Sequence, residues 1–141
     1  MKETYDGASI LLVDDDDIDA MSIERSVKRL KLSIPIHRAR NGLQALEILR
    51  DGHTIKHPYI ILLDLNMPIM GGVQFLQKIR KDDALKRSIV FVLTTSSADE
   101  DRVAAYNENV AGYIVKTDAK DGLNNIIKML DQYWGVVLLP K

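Results

Sequence analysis

The sequence predicts a doubly wound α/β domain built on a parallel sheet, and three of its features carry that expectation. Five short apolar runs alternate with segments of helical period. The first, third and fourth runs are apolar without polar alternation, as strands covered on both faces must be. No low-complexity linker or internal repeat breaks the pattern, so a single domain is expected over residues 1–141, with a short extension at 1–8 and an apolar tail at 135–141. Strict strand–helix alternation with crossovers of this length implies right-handed connections and helices on both faces of the sheet.

Each element has its own signal. The first run, "SILLV" (Ser9–Val13), drives straight into four aspartates, Asp14 to Asp17. Behind them Ile23, Val27 and Leu30 recur at the spacing of one helix face. The second run is "IHRA" (Ile36–Ala39), and the third, "YIILL" (Tyr59–Leu63), ends on Asp64 and "LNMP" (Leu65–Pro68). The fourth, "IVFVL" (Ile89–Leu93), is followed by Thr94 and Thr95, and the fifth, "GYIV" (Gly112–Val115), by Lys116. In the last helical segment Leu123, Ile126, Ile127, Leu130 and Trp134 share one apolar face.

Composition narrows the function classes. The chain of 141 residues is 46% hydrophobic and 28% charged with a formal net charge of −1, an ordinary globular balance. Basic residues are spread among acidic ones, which argues against nucleic acid as a direct partner. There is no cysteine, so disulfide and thiolate chemistry are excluded. No signal-peptide core or membrane-length apolar stretch is present, and a cytoplasmic protein is expected.

Chemistry is expected outside the carboxyl ends of the strands, where open α/β sheets bind ligands. Four successive aspartates repel one another and would be a cost without a cation. Carboxylates converging on that rim would hold a hard divalent ion, and Mg²⁺ suits one or two carboxylates, a carbonyl and several waters. Asp14 and Asp15, taken alone, could equally be an acidic turn before a helix. Asp17 reads as a helix opener whose carboxylate accepts backbone N–H bonds, while Asp16 and Asp19 are undecided surface charges. Thr94 by itself could be a strand residue bonded only to backbone. His53 and His57 read as part of a polar loop, and Met67 and Met70 as packing residues.

An acidic pair after the first strand, "DLNMP" after the third, a Thr after the fourth and "GYIVK" at the fifth resemble the receiver domain of two-component response regulators, over essentially the whole chain. The resemblance implies a flavodoxin-like five-stranded sheet of order 2-1-3-4-5. It implies that Asp64 accepts a phosphoryl group from a phosphohistidine of a sensor histidine kinase. Asp14 and Asp15, with Asp64 and the backbone carbonyl of Asn66, would hold Mg²⁺, and Thr94 and Lys116 would contact the phosphoryl oxygens. The protein would then be no enzyme beyond its own phosphorylation and dephosphorylation. A carboxylate ending a buried central strand also suits a nucleophile, because the strand fixes it. Tyr113 either packs at the sheet edge or, as the resemblance has it, changes rotamer with phosphorylation.

Two departures stand out. Receivers usually carry Pro after the conserved Lys, often in cis; here Thr117 follows, and a non-proline cis bond costs about 2.5–4 kcal/mol, so either strain is stored or the loop takes another path. In "MGG" (Met70–Gly72) an acidic residue common in relatives is missing. With the C-terminal "QYWGVVLLPK" no output module is expected, and this segment is similar to that of stand-alone receivers that partner phytochrome-like kinases. Output would run to a downstream protein, or to a second copy through the fourth helix, fifth strand and fifth helix. Two other readings stand beside this one. A phosphorylation-independent scaffold is one; the other is an aspartyl-nucleophile phosphohydrolase of the haloacid-dehalogenase type, which would want an acid where Asn66 stands.

Overall fold

In the computed structural model, residues 9–30, 32, 34–116, 122–136 and 139 are described, with the backbone alone for 122–124 and 134–136. Thr117, the 1–8 extension and the side chains of Leu123 and Trp134 lie outside the described residues. β1 (Ser9–Val13) and β3 (Tyr59–Leu63) are buried at every position, and β4 (Ile89–Thr94) at all but its first. Continuous apolar runs are what strands covered on both faces require. β2 (Ile36–Ala39) and β5 (Gly112–Val115) are only partly covered, as edge strands are. The five are parallel in the order β2-β1-β3-β4-β5.

Five helices cover the sheet: α1 (Asp17–Arg29), α2 (Gly42–Asp51), α3 (Gly72–Lys81), α4 (Asp99–Asn107) and α5 (Gly122–Val136). The period-2 alternation of β1 divides its side chains between two cores. Ile10 and Leu12 join Ile23 and Val27 of α1 and Ile126, Ile127 and Leu130 of α5. Leu11 and Val13 join Leu46 of α2, Phe75 and Ile79 of α3 and Ala105 of α4. Met67 and Met70 pack against this second core. His53 and His57 lie in the connection between α2 and β3.

The opening of α1 corrects one expectation. The cap is Asp16, not Asp17: its Oδ1 accepts from the backbone N–H groups of Ile18 (2.8 Å) and Asp19 (3.3 Å). Asp17 turns away to Arg38 (2.6 Å) and Arg40 (2.9 Å). A free cap position and two guanidinium partners across the loop outcompete capping from the first helical residue.

The register sets the rim. Val13 pairs with Leu63 and Ala39, Leu63 with Val92, and Thr94 with Val115. Asp14 and Asp64 therefore leave the sheet next to each other, with Thr94 one position and Lys116 two positions further along the same edge. The chain steps out from β1 to β2 on one side and to β3 on the other, so Asp14 and Asp64 flank the point where strand order reverses.

Candidate functional site

β1 and β3 hold the first two carboxylates rigidly. Asp14 is 2% exposed and Asp64 7%. The backbone N–H of Asp64 donates to the Val13 carbonyl (2.9 Å), which continues the ladder one residue beyond the strands. α3 supports the Asp64 turn from below. A Cβ on Gly72 would sit 2.7 Å from the Asp64 carbonyl oxygen and the Leu65 Cα, so only glycine lets the helix approach that closely.

Around Asp64 the partners are specific. The fully buried Thr94 donates its hydroxyl to Asp64 Oδ1 (2.9 Å), and the Asn66 N–H donates to the same oxygen (3.2 Å). Lys116 Nζ lies 3.5 Å from Asp64 Oδ2. It donates to Asp14 Oδ2 (2.8 Å) and to Asp19 Oδ2 (2.6 Å). Asp14 Oδ1 accepts from the Asp16 N–H (2.9 Å).

Burial and pairing oppose each other here. Burial pushes the Asp14 carboxyl above the ordinary carboxylate value, against the bonds from Lys116 and the Asp16 N–H. Burial would drive Lys116 towards its neutral form, but the bonds to Asp14 and Asp19 outweigh it and hold the ammonium above lysine's ordinary value. The site thus carries a firmly charged ammonium among more carboxylates than it can neutralise. Asp14, Asp15 and Asp64 each offer an oxygen, all within 4.8 Å of one another. Three carboxylate oxygens gathered this closely could serve as ligands of one small hard cation. Hard oxygen donors and surplus negative charge are the chemistry a dication answers.

Tyr113 is half-buried, and its hydroxyl donates to the Ser96 carbonyl (2.9 Å) in the connection between β4 and α4. The same Ser96 donates its N–H to Thr94 Oγ1 (3.4 Å) and its hydroxyl to Asp101 (2.5 Å). A chain of bonds therefore joins Asp64 through Thr94 and Ser96 to Tyr113 and α4.

Sequence reasoning missed three participants. Asp19 stood as a surface charge, yet it is the nearest partner of Lys116. Helical side chains lean towards the helix start, so a third-position acid can reach back to the rim, but the aspartate run does not tell which residue opens the helix. Arg38 gave no signal: it clamps the Asp14 carbonyl with two N–H groups (3.1 and 3.0 Å). Ser96 had none either.

Residues 10–128 match the family described as "Response regulator receiver domain". The chain is 35% identical over 134 residues to the probable methanogenesis regulatory protein FilR2 of Methanothrix harundinacea, covering 94% of this chain and 86% of that one. It is 32% identical to response regulator Rcp1 of Synechocystis, covering 93% and 92%. The crystal structure of Mn²⁺-bound Rcp1 superposes with a TM-score of 0.82 over 94% of this chain and 99% of that one. That of the phosphorylated cyanobacterial phytochrome response regulator RcpA, 31% identical, also scores 0.82, over 94% and 98%.

Proposed function

This chain belongs to the response regulator receiver family of two-component signalling, and from that premise we propose that Asp64 is its phosphoacceptor. The observation that carries the reading is the setting of one carboxylate: buried at the end of β3, bonded to Thr94, 3.5 Å from Lys116 and grouped with Asp14 and Asp15. The donor is a phosphohistidine of a sensor histidine kinase. A carboxylate oxygen of Asp64 attacks phosphorus as the P–N bond breaks, and the imidazole leaves with that bond's electron pair. Lys116 offsets charge on the phosphoryl oxygens, and the Thr94 hydroxyl turns from Asp64 to one of them. Asp14, Asp15 and Asp64, with the Asn66 carbonyl, would hold Mg²⁺. When bound, the ion neutralises phosphoryl charge and orients the group.

The relatives support the wider picture. Rcp1 has been solved with Mn²⁺, and RcpA as a phosphorylated phytochrome response regulator. By analogy the kinase here is phytochrome-like, and output runs to a downstream protein or a second copy through α4, β5 and α5. The protein catalyses only its own phosphoryl gain and loss and acts in the cytoplasm, where a sensor kinase's phosphohistidine is presented.

Intact-mass spectrometry after incubation with acetyl phosphate and Mg²⁺ tests the assignment. We expect a gain of one phosphoryl group that disappears in Asp64→Asn and with chelator. Stoichiometric labelling of Asp64→Asn would overturn it.

A further inference from the structure

We infer that Asp19 is a positioning residue for Lys116, holding the ammonium beside Asp64 when Asp14 and Asp64 are engaged by a cation. The consequence for phosphoryl uptake rests on the phosphoacceptor reading above; the contact does not.

Three carboxylates surround Lys116 Nζ: Asp19 at 2.6 Å, Asp14 at 2.8 Å and Asp64 at 3.5 Å. They are not equivalent. Asp14 and Asp64 belong to the trio whose oxygens can face a metal ion, and Asp19 does not. A dication on Asp14 and Asp64 cancels the charge with which they attract the ammonium and also repels it directly. Asp19 keeps its full charge and becomes the anchor that opposes this repulsion.

The anchor is well placed. Asp19 sits in the first turn of α1, where its N–H is tied to the Asp16 cap, and α1 is fixed against the sheet by the buried Ala20 and Ile23. The Lys116 side chain is 11% exposed and that of Asp19 31%, so the pair is partly withdrawn from solvent, where a charge-assisted bond is stronger. Lysine is a point charge on a flexible stem, and a carboxylate at its tip removes the freedom that would otherwise blur its aim. In this sequence the tether has added weight, because Lys116 is followed by Thr117 and not by a ring-constrained Pro.

A helix-start acid can also serve the helix alone, by meeting its dipole. The test separates the two roles. Initial rates of labelling by acetyl phosphate at saturating Mg²⁺ are measured for the wild type, Asp19→Asn, Lys116→Ala and the double variant. In the wild-type background Asp19→Asn is expected to slow labelling about tenfold, as expected for a displaced catalytic group, and to add little to Lys116→Ala. No slowing, or equal slowing in both backgrounds, overturns the inference.

A second readout needs no phosphoryl group. In Mg²⁺-loaded protein, the NMR signal of the Lys116 ammonium is expected to be protected from exchange in the wild type and in Asp17→Asn, and lost in Asp19→Asn. A signal absent from the wild type, or unchanged in Asp19→Asn, overturns the inference even where Lys116→Ala labels too slowly to measure. If the wild type takes no label at all, the phosphoacceptor reading fails, and the ammonium signal still judges Asp19.

Discussion

Four adjacent aspartates are chemically alike, and their surroundings give them four roles. Asp14 is buried and spends its oxygens on Lys116 and the Asp16 N–H, while its carbonyl is clamped by Arg38. Asp15 is exposed but reaches the trio with Asp14 and Asp64. Asp16 caps α1, and Asp17 pairs with Arg38 and Arg40, which lower its pKa below the ordinary carboxylate value. This division predicts unequal effects on metal binding. Asp15→Ala removes a carboxylate oxygen from the trio and is expected to weaken Mg²⁺ binding about tenfold or more, whereas Asp17→Ala, which removes a carboxylate outside the trio, changes it far less. Titration of Mg²⁺ followed by tyrosine or tryptophan fluorescence compares the two. Equal losses would refute the division.

At the scale of elements, the site depends on how closely helices can approach strand ends. α3 begins at Gly72, whose N–H donates to the Leu65 carbonyl (3.0 Å) beneath the Asp64 turn. A new side chain would meet the Leu65 Cδ2 and two backbone atoms at 2.7 Å, and backbone cannot swing aside as a flexible side-chain tip can. Gly72→Ala is therefore expected to cost about 1–3 kcal/mol, the range of overpacked sites, and to slow Asp64 labelling because the turn must shift. Urea unfolding reports the first effect as a lower midpoint at unchanged slope. Unchanged stability would show that α3 can retreat without strain. Gly42 is a milder case: its nearest neighbour is the Met70 side chain at 2.8 Å, which has rotamers available to yield, although the Met70 carbonyl oxygen also lies at 3.0 Å.

The whole molecule offers a route from the site to a surface. Thr94 already donates to Asp64, and Ser96 links Thr94 to Tyr113 and α4, so a phosphoryl group that draws the Thr94 hydroxyl away pulls on this connection. The central strands are buried in two cores, while β5 is a partly covered edge and α4 exposes Val103 and Tyr106. α4 buries only Ala105, and a side of the fold with few buried contacts is where an equilibrium is easily biased. Saturating beryllofluoride with Mg²⁺ is expected to change amide hydrogen exchange over Val103–Val110 and Gly112–Lys116, and with it self-association measured by sedimentation. Exchange unaltered there would leave the phosphoryl chemistry standing and reject this output surface.

The sequence by itself determined the α/β class, the five strands and the residues that end them, because burial on a strand or a helix face repeats with a short local period. Only the last strand residue differed, since β4 includes Thr94 itself. Charge convergence at one rim was legible for the same reason: parallel strands send every residue that follows them to one edge. The pairings on that rim were decided by the tertiary structure alone. Lys116 and Asp19 are 97 positions apart, and their contact depends on sheet register together with the rotation of α1 about its axis. That rotation is set by the Asp16 cap and by Ile23 and Val27 in the core, and four identical aspartates in a row contain no local signal of which one begins the helix. The same holds for Arg38 on the Asp14 carbonyl and Tyr113 on the Ser96 carbonyl, whose acceptors are backbone atoms that every residue carries. Side-chain chemistry selects what can react, and packing across distant segments selects what meets.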